Sequence, residues 1–412
     1  MRKEDEVMDS AAQVLAQVDS IQDWLEELYV HLHQNPELSM QETQTSALMA
    51  SKLKELGFVV QTVGGGVVGV LENGAGPTVM FRADMDGLPV REETGLPYAS
   101  VSTQVDRYGV EQPTMHACGH DFHMSAALGA ARLLAAHKDA WSGTYIALFQ
   151  PAEETYGGAQ SMVDAGLAQL IPHPDVALAQ HVFGAPFAGQ VATNSGPSMS
   201  ATTSIKVTLF GRGSHGSMPH LSVDPVVMAA AVVLRLQGIV ARELKPGTFG
   251  VVTVGSIHGG TQGNIIPETV TLRLNIRAYD MQVRQSLLEA IERIVVSEAK
   301  ASGAPKEPEF EIYDPFPVTD NDASVTEKVT EAFVNHFGPE RVKHWEPITA
   351  SEDFSIIPRA LGTPYCYWSF GGFAPDTEAP GNHSPKFGPL MQPTLRTGTE
   401  AALSAVLAFL GK

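Results

Sequence analysis

At 412 residues, with 43% hydrophobic and 18% charged side chains, the chain exceeds one ordinary hydrophobic core and reads as two globular domains. Its 27 basic against 46 acidic residues give a formal charge of −19, which disfavours nucleic acid and anionic membrane as partners. Two cysteines, Cys118 and Cys366, make no disulfide framework, the start MRKEDEVMDSAAQ has no apolar run of the signal-peptide kind, and no uninterrupted apolar run reaches the roughly 18 residues of a membrane span, so a cytoplasmic protein is expected.

Leu15, Val18, Ile21, Leu25, Leu28 and Leu32 recur at helical spacing and predict a helix from about Ser10 to His33, stopped by Pro36. A second helix covers TQTSALMASKLKELG and ends at Gly57; FVVQTV, VVGVLE and PTVMFRADMDGLP follow as strands. Gly64-Gly65-Gly66-Val67-Val68-Gly69 satisfies GxGxxG, but a dinucleotide site needs a helix next and VVGVLENG is β-like, so a turn between strands is expected. FHMSAALGAARLLAAHKD reads as a helix, GTYIALFQPAEE and DVALAQHVF as strands. Helices alternating with apolar strands predict an α/β sheet buried on both faces.

From about Ala201 the pattern changes. The strand ATTSIKVTLFG, a helix with Asp224 as N-cap and Pro225 in its first turn, two strands, the helix QVRQSLLEAIERIVVSEAKASG and the strand PEFEIYDP give the order β-α-β-β-α-β. That order predicts a ferredoxin-like unit over 199–313, inserted into an α/β domain made of 1–198 and 314–412. VTEKVTEAFVNHFG, TPYCYWSF and a C-terminal helix complete the larger domain.

Metal-ligand residue types gather where strands should end, the edge at which open α/β sheets bind ligands. Asp84 and Asp86 close VMFRADMD, Glu153 and Glu154 close YIALFQPAEE, His181 closes ALAQHVF, and His383 lies in the loop APGNHSPKF. Any one of them alone is more often a solvated loop residue or a cap. The cluster MHACGHDFH adds His116, Cys118, His120 and His123. It has two local readings: a small structural zinc site, although no second ligand pair lies nearby, or a Cys118 nucleophile with His120 as base, an awkward pairing at i, i+2. Glu153 and Glu154 are consecutive, so in extended backbone their side chains diverge and one is free to bind metal while the other faces substrate. Phe370, Phe373, Trp368 and Met218 are candidates for an apolar acyl pocket, with core packing the commoner fate.

HQNPELSMQE, RADMDGLP, HACGHDFH, PAEE, GRGSHGSMPH, NIIPE, SEDFS and GNHSPKF, in order from His33 to Phe387, resemble the successive motifs of the M20 amidohydrolases. Within that family they are similar to the branch of aminoacylases, hippurate hydrolases and indole-acetyl-amino-acid hydrolases, with QHVF and APGNHSPKF closest to bacterial N-acyl-amino-acid aminoacylases. The resemblance implies two divalent metal ions per subunit, Zn or Mn foremost with Co or Ni acceptable to the same donors, held by Cys118, His120, Glu154, His181 and His383. It gives Glu153 the role of general base and His215 that of oxyanion donor, from a satellite domain that often belongs to the other subunit of a homodimer. Asn264 and Arg277 correspond to binders of the substrate carboxylate. Other branches carry His-x-Asp where this chain has Asp84-Met85-Asp86, so Asp84 is left out of the ligand set and Asp86 is assigned to orienting a ligand histidine.

The implied activity is metal-dependent cleavage of small-molecule N-acyl-L-amino acids to a carboxylic acid and a free amino acid, through a metal-bridged hydroxide. Dipeptides or carbamoyl-type substrates are the alternative within the superfamily. Metal binding without turnover is the alternative outside it, and a spare base at Glu153 argues against that reading.

Overall fold

A computed structural model describes residues 11–412. They form two compact units: one holds the chain up to Ser198 with Asp320–Glu346 and Asp353–Lys412, the other Met199–Thr319 with Pro347–Glu352.

The first unit is built on an eight-stranded mixed sheet. From edge to edge it runs Val59–Val63, Gly66–Asn73, Gly143–Gln150, Thr78–Asp84, Val176–Ala188, Tyr365–Gly371, Val191–Thr193 and Val342–His344. The four central strands are parallel; three are buried almost throughout and Val176–Ala188 is buried over its first seven residues, which explains why they read as continuous apolar runs rather than alternating ones. Val59–Val63 and Gly66–Asn73 form an antiparallel hairpin through Gly64 (φ 56°) and Gly65 (φ 87°), so the GxGxxG stretch is a two-residue turn with both central residues left-handed. A Cβ on Gly64 would also lie 2.4 Å from the Ser161 carbonyl oxygen.

The helix His120–Ala136 is buried along nearly its whole length because alanine and glycine keep its surface thin. Gly129 admits Leu25 from the helix Gln22–Gln34 and Thr399 from the helix Met391–Leu410, each 2.9 Å from where a Cβ would stand. The long helix expected from Ser10 is interrupted: residues 11–15 are helical, a 3₁₀ turn covers Val18–Ile21, and the α-helix spans Gln22–Gln34. Ser20 Oγ–H donates to the Gln17 carbonyl at 2.6 Å, a local bond that competes with a continuous helix. The predicted start at Ser10 and the stretch before it lie outside the described residues.

The second unit has a four-stranded antiparallel sheet ordered Gly250–Gly259, Thr269–Ala278, Ala201–Phe210, Glu309–Tyr313. With the helices Pro225–Gly238 and Met281–Ala301 this is the β-α-β-β-α-β order with the first strand between the third and fourth, a ferredoxin-like arrangement. Asp224 caps the first of these helices by accepting from the Val226 and Val227 amides. One face of each helix, Met228, Val232 and Leu236 on one and Leu287, Ile291 and Val295 on the other, packs with Ile205, Val207, Leu272 and Leu274 of the sheet. The segment 347–352 joins this unit through the Met199–Ile348 bridge and the Ser200 amide, which donates to the Ala350 carbonyl.

The stretch Pro225–Glu243 is long and apolar enough by length and composition to cross a membrane, although Arg235 and Gln237 interrupt its sequence; it is 33% buried. Val227 and Leu234 stand out from it, 66% and 75% exposed.

Candidate metal centre

The centre lies in the first unit, where the central parallel strands end. Thr78–Asp84 delivers Asp84 and, just beyond it, Asp86. The strand carrying His181 does not stop there but continues to Ala188. Its pairing with Thr78–Asp84 nevertheless ends at Arg82 and Ala179, and continuing that register brings His181 level with Asp84 at the end of the neighbouring strand. PAEE is not strand either: extended structure ends at Gln150, and a turn with Ala152 in the left-handed region (φ 47°) follows. Glu153 and Glu154 are therefore placed by a turn, and instead of diverging as expected of extended backbone their carboxylate oxygens come within 4.8 Å of each other.

Cys118 sits on the loop before His120–Ala136, closed by Gly119 at φ 80°. A Cβ on Gly119 would meet Val182 at 2.3 Å, so only glycine lets this loop approach the His181 strand. Cys118 Sγ is 3.4 Å from His181 Nε2. His181 Nδ1–H donates to the Val182 carbonyl at 2.8 Å, which leaves Nε2 as a lone pair aimed at the sulfur. From the far end of the chain, His383 adopts φ 70° and its amide donates to the Ala117 carbonyl at 2.8 Å. Its Nε2 lies 3.1 Å from Glu154 Oε2.

Donor atoms of Cys118, His120 and His181 lie within 4.8 Å of one another, as do those of Cys118, Glu154 and His383, and those of His120, Glu153 and Glu154. Two cradles thus share Cys118, and Glu153 stands beside them. Both ring nitrogens of His120 and Oε1 of Glu154 are buried without a directed hydrogen bond. Orphaned buried donors of soft and borderline type, with Asp84 and Asp86 close by, fit divalent cations.

Asp86 organises the surroundings. It accepts from the amides of Glu153 and Glu154, each at 3.1 Å, and from Ser39 Oγ–H at 2.6 Å, and its Oδ1 lies 3.3 Å from His120 Nδ1. Asp84 is engaged otherwise: His123 Nδ1–H donates to it at 2.6 Å and Arg82 Nη1–H at 2.7 Å. His123 Nε2 accepts the Val182 amide at 2.9 Å, so it has no lone pair left for a metal. His116 belongs to none of the cradles among the described residues. The zinc site local to residues 116–123 is therefore not what the geometry builds.

The thiol reading fails on electrostatics. Burial, then Glu154 and Glu153, hold the Cys118 thiol well above its usual range. Burial lowers His120, but Asp84, Asp86 and Glu154 outweigh it and push the imidazole up to about 10, so it already holds the proton a base would need to accept. A thiolate at this position needs the positive charge a cation supplies.

Several neighbours were not singled out in the sequence. Arg82, 1% exposed, donates to Gln150, Asp84 and Asp353, and Asp353 is the second of the two acids of SEDFS. Glu42 accepts the Ala152 amide at 2.7 Å; burial and Asp86 push its carboxyl up to about 8. Phe183 stacks on His181 at 4.3 Å. Trp368, Phe370 and Phe373 are buried in the hydrophobic core of the first unit.

His215, Asn264 and Arg277 lie in the second unit. His215 pairs with Ile265, and the Gly216 amide donates to the Asn264 carbonyl, so His215 and Asn264 are neighbours. Arg277 is near the other end of Thr269–Ala278, where its guanidinium donates to the Thr349 carbonyl and, at 3.3 Å, to Ser351 Oγ. Eight residues of strand at about 3.3 Å each separate Arg277 from the Asn264 end, roughly 26 Å.

Comparison with known proteins agrees with this arrangement. Residues 80–408 match the family model for Peptidase family M20/M25/M40. Thermostable carboxypeptidase 2 of Saccharolobus solfataricus is 36% identical over 86% of this chain and 88% of its own length. N-acetyl-L-cysteine deacetylase of Bacillus subtilis is 35% identical over 83% and 79%. The crystal structure of Bacillus subtilis YXEP protein, a dinuclear metal binding peptidase from the M20 family, superposes with a TM-score of 0.76 at 26% identity, covering 94% of this chain and 98% of that one. With four-fifths of its length matched in order, the chain belongs to Peptidase family M20/M25/M40.

Proposed function

We propose that the protein is a metal-dependent amidohydrolase that cleaves N-acyl-L-amino acids to a carboxylic acid and a free amino acid. The observation that carries this is the pair of cradles sharing Cys118, with Glu153 adjacent. Cys118, His120, Glu154, His181 and His383 would hold two divalent cations, Zn or Mn foremost and Co or Ni compatible with the same donors. The cations, when bound, polarise the scissile carbonyl and acidify the attacking water. Glu153 takes the proton from that water and returns it to the departing amine. Asp86 orients His120 and fixes the Glu153 and Glu154 amides.

His215 would donate to the oxyanion, and Asn264 and Arg277 would hold the substrate carboxylate. The separation of Arg277 from the other two within one copy favours their contribution from two copies of the chain. A homodimer is further supported by the exposed apolar positions Val227 and Leu234 on a helix that buries only its opposite face against the sheet. We place the protein in the cytoplasm, where free thiols such as Cys118 and Cys366 persist.

A second reading, removal of C-terminal residues from peptides, is favoured by the likeness to thermostable carboxypeptidase 2. Both substrate classes present an amide nitrogen whose carbon bears a free carboxylate. Elemental analysis, with rates on N-acetyl- and longer N-acyl-amino acids beside dipeptides, separates the two. Glu153→Gln should lower kcat by about 10²–10⁴ with the metal retained. Undiminished turnover in that variant, or after chelation, would sink the proposal.

A further inference from the structure

The segment 38–42 reaches the centre without carrying any group the proposed chemistry uses. The Gln41 amide donates to the Leu38 carbonyl at 2.9 Å, and Met40 takes φ 62° with its side chain in solvent. This turn drives two polar side chains inward. Ser39 reaches Asp86, and Glu42, 4% exposed, accepts the Ala152 amide.

On the receiving side, three consecutive amides end on two buried carboxylates. Ala152 N–H goes to Glu42, and Glu153 and Glu154 N–H go to Asp86. Ala152 holds φ 47°, a conformation that its Cβ resists and that outside contacts must maintain. Besides the Ala152 amide, the Glu42 carboxyl takes hydrogen bonds from the backbone of its own turn, at Met40 and Glu42. Glu42 immediately precedes the helix Thr43–Glu55, yet its side chain makes no cap there; Glu37 accepts the Gln44 and Thr45 amides instead.

We propose that Glu42 is a positioning residue for the hydrolysis: by holding the Ala152 amide it fixes the turn that sets the Glu153 and Glu154 carboxylates side by side at the centre. The inference rests on the amidohydrolase reading above and adds a residue to it. In this role Glu42 acts through the Ala152 amide, so an acceptor oxygen is what matters at its position. Glutamine keeps that oxygen at nearly the same place, and methionine keeps the volume without it.

The test compares Glu42→Gln, Glu42→Met and the double variant Glu42→Met/Ala152→Gly. It measures kcat and KM on N-acetyl-L-methionine, metal content, and hydrogen exchange of residues 150–157. The glutamine variant should match the parent in every readout. The methionine variant should exchange faster at 152–154 and lose at least about tenfold in kcat, with KM and metal content near parental. Ala152→Gly, which accepts φ 47° freely, should restore part of that loss.

Equal losses in the glutamine and methionine variants would overturn the proposal. So would unchanged exchange in the methionine variant, a fall in melting temperature with kcat intact, or a methionine variant that does not fold while the glutamine variant does. If the parent hydrolyses no N-acyl-amino acid, the amidohydrolase reading falls, while the exchange comparison still decides whether Glu42 holds the turn.

Discussion

His33 offers a sharp test of the electrostatics in the first unit. Its ring is 2% exposed, with Nδ1 2.7 Å from Asp121 Oδ2 and Nε2 3.1 Å from Glu92 Oε1. Burial alone would lower its pKa, but the bonds to Asp121 and Glu92 outweigh burial and push it from 6.5 up to about 9. At about 1.4 kcal/mol per tenfold change in protonation, that rise corresponds to ~3 kcal/mol of stability. The folded state holds this proton more tightly than the unfolded chain does. The contribution is therefore complete below pH 6.5 and is lost as pH rises through 9.

The assay is urea unfolding at pH 6 and pH 10 for the parent and for His33→Gln. Trp24, Trp141, Trp345 and Trp368 all belong to the unit that contains His33, so tryptophan fluorescence reports that unit alone. The parent should lose about 3 kcal/mol more than the variant between the two pH values, other titrations cancelling in the difference. Parallel decline in both proteins would refute the buried ion triad.

Arg82→Met should cost about 3–5 kcal/mol, because it strands Asp84 and Asp353 in the interior without their shared cation; thermal unfolding by fluorescence reads the loss. Removing metal by chelation should lower the melting temperature of the same unit, and restoring Zn or Mn at a thousandfold excess over Kd should return about 4 kcal/mol, as titration calorimetry and melting together can check. Leu234→Glu, placed at one of the two exposed apolar positions, should halve the mass found by sedimentation while leaving the melt of the fluorescent unit unchanged.

The donors of the centre were legible because their chemistry is rare at strand ends and the strands themselves are continuous apolar runs. Cys118, His120, Glu154, His181 and His383 stood out alongside Asp84, Asp86, His116, His123 and Glu153; the family resemblance singled out the five, whose donor atoms fall in two groups that share Cys118. Their supports were not legible, for a physical reason. Arg82 lies inside the apolar run VMFRAD, and besides the adjacent Asp84 its partners include Gln150 and Asp353, whose distance in sequence hides what makes a buried guanidinium tolerable there. Glu42 and Ser39 look like ordinary polar residues ahead of a helix until the turn at Met40 directs them inward. The segment 347–352 joins the second unit through backbone bridges and polar bonds, which leave no periodicity to read. The break near Ser20 escaped because its apolar spacing stays helical while a serine hydroxyl competes for the backbone.

Asn382 bonds the Cys118 sulfur across 264 positions of chain, and the whole of Met199–Thr319 lies within that span. During synthesis the cysteine leaves the ribosome long before its last companions, so the centre can be completed only after the chain has been made through His383, and a chain cut short upstream of Asn382 lacks donors of this arrangement. Because the entropy of closing so long a loop grows only logarithmically, doubling the excursion would add about 0.6 kcal/mol. Evolution is thus free to enlarge or trim the intervening module at small thermodynamic expense to the chemistry it interrupts.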